Sequence, residues 1–370
     1  MTRFFKISKK NPGVLQHYTL TADGPPGNTV KGIIKQETRE KYKLLKEGDA
    51  DANETLYRYE IFDDEIEENE GAFAIAREIF SAKFVRQLSP ASSPKYKRYY
   101  EKALPNAFIG SDYLGSFKTW KEAYDSDGVT ILGAKLDAQG DLAFPSQSKR
   151  IEGLGVAAVL IELLGKIDRA NYNWGLVEGT SVVQVTLIDF GSCMNSLPFS
   201  MPVSDEKPAV FKCPRDIISS VFEQYTSEKA LPAQLLTLRH IECEVYETLA
   251  ALKKMPSELI EALANEQFAA YPLYKAALLK ELAMGIEYLD NQFRTDKHYI
   301  ASQYINECLQ EIGIQSSLSS YDNESIDYLL ELYVAIRPDD NPRNHRKFMT
   351  GIRSYLVAEE QQGLTLSFVG

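Results

Sequence analysis

The sequence predicts an α+β chain in two lobes, on three observations. Short strands parted by turn chemistry fill the first third, one helix follows them, and helices occupy nearly everything beyond a short central hairpin. The division falls near residue 110: residues 1–110 carry antiparallel strands and one helix, and residues 111–370 carry a polar loop, the hairpin and the helical remainder.

The strands come first. His17–Thr21 alternates polar and apolar residues, the cluster Asp23-Gly-Pro-Pro-Gly-Asn28 turns the chain, and Val30–Ile34 and Tyr42–Leu45 are two further apolar runs. Three short runs with turn residues between them predict an antiparallel meander. From Glu60 to Glu70 the chain is heavily acidic, which suits a solvated loop or the first turn of the next helix. In that helix Ala72, Ile75, Ala76, Ile79, Phe80, Phe84 and Leu88 recur at helical spacing, and Ser89-Pro90 ends it before a loop rich in Ser, Pro, Lys and Tyr. A second helix is predicted over Ser146–Gly165, with Leu154, Ala157, Ala158, Ile161 and Leu164 on one stripe and Gly165 as its stop. Trp174–Val177 and Val182–Ile188 then alternate as the two arms of a hairpin around Glu178–Ser181. Beyond Asp216 the expected helices include Ile217–Tyr225, Leu235–Leu252, Ser257–Ala269, Tyr274–Arg294 and Ile326–Ile336.

Composition narrows the function. The 370 residues are 44% hydrophobic and 25% charged, a globular balance large enough to need no disulfide staples. A net charge of −11 argues against general binding to nucleic acid or anionic membranes. Cys193, Cys213, Cys243 and Cys308 are widely spaced with no C-x-x-C pair, which suggests reduced thiols in a cytosolic compartment. The start MTRFFKISKK lacks the apolar region of a signal peptide, and no run approaches the roughly 18 apolar residues of a membrane span. The expectation is a soluble, cytoplasmic protein with no transmembrane segment. His17, His240, His298 and His345 show no metal-ligand spacing, and no G-x-S-x-G elbow is present.

The chemistry concentrates in Gly165-Lys-Ile-Asp-Arg-Ala-Asn-Tyr-Asn-Trp174 and Leu187-Ile-Asp-Phe-Gly191. A helix ends, a polar loop carries Asp168 and Asn173, and a hairpin runs out and back to Asp189. Because a hairpin sets the end of its second strand beside the start of its first, Asn173 and Asp189 meet at one edge. One amide oxygen and one carboxylate make a hard-oxygen pair that suits Mg²⁺ keeping phosphate or water as its other ligands. Asp168, on the same loop, can face that pair from the substrate side and accept a hydroxyl proton.

The spacing D-x-x-x-x-N, a hairpin, then D-F-G resembles the signature of the protein-kinase superfamily. Asp-Arg-Ala-Asn-Tyr-Asn with Ile-Asp-Phe-Gly is also similar to the D-R-x-x-x-N and I-D-F-G of phosphoinositide 3- and 4-kinases. The resemblance implies a bilobal kinase-like fold using ATP with Mg²⁺ or Mn²⁺, in which Asp168 is the catalytic base and Asn173 and Asp189 hold metal. It further implies a phosphate-binding lysine on the third strand paired with a glutamate on the next helix. Lys46, closing Lys43-Leu-Leu-Lys46, takes that role, with Lys41 and Lys43 as competitors, and Glu78 is its partner. Glu78 shares a face with Ile75, Ala82 and Val85, where a carboxylate needs a counter-charge. Gly24 and Gly27 stand where a phosphate-covering loop would lie, but Pro25 and Pro26 remove N–H donors such a loop aims at phosphate. Ala107–Leu114 is the expected link between lobes.

Departures point to an atypical branch. Lys166-Ile167 replaces His-Arg before Asp168, Ala170 replaces the lysine two residues after it, and no A-P-E follows Gly191. Size and acidity favour a protein hydroxyl as the acceptor, with a phosphoinositide as the alternative. Transfer of AMP, or an ATP-binding pseudokinase module, are the rival readings. The basic run Arg337, Arg343, His345, Arg346, Lys347, Arg353 suits an inositol polyphosphate activator as well as a solvated helix. The end of the chain, Ala358–Gly370, resembles the type IV secretion signals of Legionella-like effectors, which implies translocation into a host cell, though a frayed terminus reads the same way.

Overall fold

The structure is a computed structural model that describes residues 3–7, 15–22, 30–36, 42–46, 70–101, 107–112, 114, 116–120, 135–136, 142–143, 150–165, 173–179, 182–191, 193–194, 210–222 and 238–361. The acidic run before Glu70 and the tail 362–370 lie outside these residues.

Six strands close into an antiparallel barrel: β1 (Arg3–Ile7), β2 (Leu15–Ala22), β3 (Val30–Gln36), β4 (Tyr42–Lys46), β5 (Tyr96–Glu101) and β6 (Ala107–Asp112), in the spatial order β1-β2-β3-β4-β6-β5. The three runs expected from sequence are β2, β3 and β4. The barrel needs three more. β1 precedes the predicted meander and pairs with both β2 and β5, so the lysine expected on the third strand ends the fourth. β5 occupies a segment expected as loop, because its tyrosines supply what a pleated surface packs well: Tyr99 is fully buried in the barrel with Ile34, Leu45 and Phe108. β6, expected as a connector, is instead bonded between β4 and β5.

Helix α1 (Glu70–Leu88) packs between β5 and β6 on one side and the later helix α5 (Ser257–Phe268) on the other. It is buried nearly all round from Phe73 to Val85, as befits a helix enclosed by two layers. Phe73 meets the rings of Tyr271 and Tyr274 edge-on at 5.0 and 4.7 Å.

A second sheet follows, β10-β12-β11-β7, from β7 (Phe117–Thr119), β10 (Arg150–Glu152), β11 (Trp174–Glu178) and β12 (Val182–Leu187), while β8 (Lys135–Leu136) and β9 (Leu142–Ala143) pair with each other. The helix expected from Ser146 is shorter. Arg150–Glu152 pairs parallel to β12, Gly153 turns the chain at φ 84°, and helix α2 spans Leu154–Leu163. Only a residue without a Cβ makes that strand-to-helix turn at low cost. Gly165, at φ 55°, stops the helix as its sequence position predicts.

The remainder is helical: α3 (Pro214–Phe222), α4 (Arg239–Lys254), α5, α6 (Pro272–Phe293), α7 (Lys297–Glu311), α8 (Asn323–Ile336) and α9 (Pro342–Gln361). The core runs continuously from α1 through the second sheet and α2 to α7, and a separate apolar cluster joins α7, α8 and α9 around Ile305, Leu329 and Phe348. No helix among the described residues is long and apolar enough to cross a membrane.

Helix α2 is the central support, because the polar loop and hairpin leave from its end. Its N-terminus has no local side-chain cap. Glu244, on α4, caps it from outside: its two carboxyl oxygens accept from Gly153 N–H at 2.7 Å and Gly155 N–H at 2.9 Å. Burial pushes the Glu244 carboxyl up to about 8, against those two N–H donors. The close approach depends on Gly155, where an added Cβ would stand 2.5 Å from Ile241 O and 2.9 Å from Val245 N. Both are helix backbone and cannot swing aside. Gly155→Ala is therefore expected to destabilise the chain by about 2–3 kcal/mol, read as a lowered melting temperature. An unchanged melt would show that α2 and α4 separate freely.

The same layer holds an acid-sensitive group. The His240 ring nitrogen Nε2 lies 3.0 Å from Ile151 O, and burial, with the nearby Arg150 guanidinium, pushes the imidazole down to about 4. Unfolded, it returns to its ordinary value near 6.5. The folded state thus binds fewer protons between these values, so stability is full above the upper one and falls as pH drops through the window. By pH 4 the loss from this group is on the order of 3 kcal/mol. His240→Gln should flatten that part of the stability–pH curve in urea titrations at pH 7 and pH 4.5.

Candidate active site

The barrel, α1 and the hairpin converge on one ammonium group. Lys46 ends β4, opposite Ile109 of β6, and its side chain is 10% exposed. Its Nζ lies 2.6 Å from Glu78 Oε1 and 2.7 Å from Asp189 Oδ1. Glu78 sits mid-helix on α1 and is 1% exposed, so it has no access to bulk water. Asp189 follows β12 and is 46% exposed, on the open side of the triad. Burial pulls the Lys46 ammonium down, but the Glu78 and Asp189 carboxylates more than offset this and hold its pKa well above the usual range. It therefore stays charged throughout neutral pH.

Asp189 is held in an uncommon conformation. Its φ is 53°, in the left-handed region that non-glycine residues seldom occupy. Its N–H donates to Tyr96 Oη at 3.2 Å, its Oδ1 accepts from Lys46, and the same oxygen accepts from Gly191 N–H at 3.4 Å. Tyr96 is buried on β5, its ring edge-on to Phe190 at 5.8 Å, and burial, then the Glu78 charge, push its hydroxyl pKa up. It remains a neutral phenol. Gly191 O accepts from Arg77 Nη2 at 2.8 Å.

The hairpin brings Asn173 to the same end. Trp174 stands opposite Leu187, and Ile188 N–H donates to Asn173 O at 3.0 Å, one residue before Asp189. The hairpin is anchored to the turn after α1 by Leu187 N–H to Ser92 O at 2.8 Å and Thr186 Oγ1 to Ala91 O at 3.1 Å. Its far face is closed by Trp174, which stacks on Trp120 at 5.0 Å. Among the described residues no group of three or more His, Cys, Asp and Glu side chains forms a metal cage. Asn173 is buried, the Asp189 carboxylate is half-exposed, and an amide oxygen and a carboxylate are donor types that a hard divalent cation such as Mg²⁺ accepts.

No protein-family model and no curated protein matches the chain. Among solved structures, the Helicobacter pylori proinflammatory kinase CtkA aligns at 10% identity over 75% of this chain and 92% of its own, with a TM-score of 0.38. The golgi casein kinase aligns at 14% identity over 75% and 74%, with a TM-score of 0.37. Both likenesses are distant, and what the site can do follows from its own side chains.

Of the residues singled out from sequence, Lys46, Glu78, Asn173 and Asp189 thus stand at one junction. Asp168, Gly24 and Gly27 lie outside the described residues, as does Lys41. Lys43 forms an ion pair with Asp112, its register partner on β6. Two members of the site had no readable signal in sequence. Arg77 is one of several charged residues on its helix, beside Glu70, Glu78, Lys83 and Arg86, and Tyr96 lies in a segment whose composition suggests a loop. A cleft of about 340 Å³ lies elsewhere, between α4 and the start of α2, lined by Glu152, Gln184, Glu247 and Ser319. Glu247 there is engaged by Ser319 and by Asn306.

Proposed function

We propose that the chain is an ATP- and Mg²⁺-dependent phosphotransferase of an atypical protein-kinase-like type, built as two lobes that divide near residue 110. The observation that carries this reading is the bridging of Lys46 between Glu78 of α1 and Asp189 at the hairpin end. A buried lysine clamped by one fully buried and one half-exposed carboxylate is an arrangement that positions phosphate. Glu78 fixes the ammonium, and Asp189 is the partner that a metal can take over.

Asn173 and Asp189 are the residues that would hold Mg²⁺, and Lys46 is the residue that would meet the phosphates. ATP, when bound, supplies a phosphoryl group whose transfer depends on charge neutralisation and alignment more than on covalent help from the protein. The work left to the chain is to orient: Glu78 keeps Lys46 extended, the Tyr96 hydroxyl and the Arg77–Gly191 contact keep the Asp189 turn in register, and Trp174 and Trp120 close the hairpin behind. Asp168 would take the acceptor proton, as the resemblance implies. The proposed acceptor is a protein hydroxyl. Its support is compositional, since an acidic chain of net charge −11 is poorly suited to an anionic lipid surface.

ATP labelled on the γ-phosphate, and in parallel on the α-phosphate, separates the readings. With Mg²⁺ or Mn²⁺, label from the γ position alone is expected on protein. Label from the α position would replace phosphoryl with nucleotidyl transfer. Absence of nucleotide binding in calorimetry would remove the ATP site altogether. Inositol polyphosphates added to parallel samples test the basic run from Arg337 to Arg353, where an unchanged rate dismisses an activator.

A further inference from the structure

We propose that Arg77 is a positioning residue for the metal-binding turn, acting through Gly191 on Asp189; this rests on the phosphotransferase reading. The argument begins with burial. The Arg77 side chain is fully buried, and a guanidinium carries its charge at any physiological pH. Burying such a group costs several kcal/mol unless the surroundings answer it with well-placed acceptors. Arg77 is answered at the D-F-G turn, by Gly191 O at 2.8 Å, and by the face of Phe73, whose ring centroid is 5.5 Å from the guanidinium carbon. Phe73 is itself fixed between Tyr271 and Tyr274, and the Tyr274 hydroxyl reaches Met194 O at 3.5 Å. The arginine thus stands on a rigid aromatic shelf and reaches the turn with a directed N–H.

Its neighbour in sequence makes the placement consequential. Arg77 and Glu78 are consecutive on α1 and reach Asp189 by two routes. Glu78 holds Lys46, which holds Asp189 Oδ1. Arg77 holds the carbonyl of Gly191, whose N–H points at the same Asp189 oxygen. Asp189 sits at φ 53°, a conformation that its own backbone does not favour and that its surroundings must impose. Helix α1 and the metal-binding carboxylate therefore move as one unit, and the carbonyl grip is the part of that unit that does not pass through Lys46. Groups that orient a ligand in this way set metal affinity without touching the metal, typically by 10–100-fold.

The test compares ATP dissociation constants measured by calorimetry in EDTA and in Mn²⁺; their ratio reports how much the metal contributes. For the wild-type chain the ratio should be well above one. Arg77→Met, which keeps length and the contact with Phe73, should lower it about tenfold while leaving the EDTA value within about twofold. Arg77→Lys should recover part of the loss. In an Asp189→Asn background Arg77→Met should add nothing, because both changes act on one carboxylate. If Arg77→Met does not fold, Arg77→Lys carries the test, with a smaller drop in the ratio and an EDTA value again within about twofold of the wild type. An unchanged ratio in the variant, beside a metal-dependent wild type, sinks the role of Arg77 and leaves the site reading standing. An equal loss in EDTA and Mn²⁺, or a full additive loss in the Asp189→Asn background, makes the arginine merely structural and also overturns the proposal. A wild-type chain whose ATP binding ignores Mn²⁺ overturns the site reading, and Arg77's role with it.

Discussion

Asp189→Asn is expected to lower ATP turnover by about 10³-fold, the scale for removing a group that stabilises charge at a reacting centre. Asparagine is the informative choice. It keeps the shape of the carboxylate and is one of the few residues that tolerate the left-handed backbone seen at φ 53°, so the turn should persist. Alanine would confound lost charge with backbone strain. The half-exposed Asp189 is also the weaker anchor of Lys46, because Glu78 remains at 2.6 Å from the ammonium. The melting temperature of Asp189→Asn should therefore stay within about 1 °C of the wild type, the shift for under about 1 kcal/mol in a chain this long. Steady-state turnover and a thermal melt on the same preparation check both halves. Retained turnover with an intact fold would remove Asp189 from the chemistry.

The site was partly legible in sequence, and its legibility follows from which interactions are local. Asn173 and Asp189 were placed together because a hairpin converts sequence spacing into proximity, and the register Trp174 to Leu187 is that of a four-residue connection. Glu78 stood out as a carboxylate on an apolar helix face, a pattern that calls for a partner. The partner itself was ambiguous, since Lys41, Lys43 and Lys46 differ only in register, and register in a sheet is set by neighbours distant in sequence. The pairing of Lys43 with Asp112 across β4 and β6 is such a constraint.

The misread segments fail for the same reason. Tyr96–Glu101 has no apolar alternation, yet closing the barrel against β1 and β6 makes it a strand. Arg150–Glu152 reads as the start of a helix until β12 offers it a parallel edge. The grip of Arg77 on Gly191 spans 114 residues and leaves no periodic trace. Tertiary pairing overrode local pattern in each case.

The second large effect separates stability from chemistry at the buried pair. Lys46→Met removes the cation and strands Glu78, which is 1% exposed and has no water to replace its partner. Leaving one member of a buried ion pair uncompensated costs on the order of 3–5 kcal/mol, so Lys46→Met should melt far earlier than Asp189→Asn. Adding Glu78→Leu to Lys46→Met replaces the pair with two apolar side chains in a site already enclosed by the barrel and α1. That double variant should regain most of the lost stability, because burying well-packed apolar groups is about as favourable as a desolvated ion pair. It should not regain turnover, because nothing remains to meet the phosphates. Urea titrations give the stability of the single and double variants, and ATP turnover gives the rest. A double variant that stays as unstable as Lys46→Met would mean that the charge pair itself, and not the relief of a stranded carboxylate, holds α1 to the barrel. A double variant that turns over ATP would mean that Lys46 positions nothing.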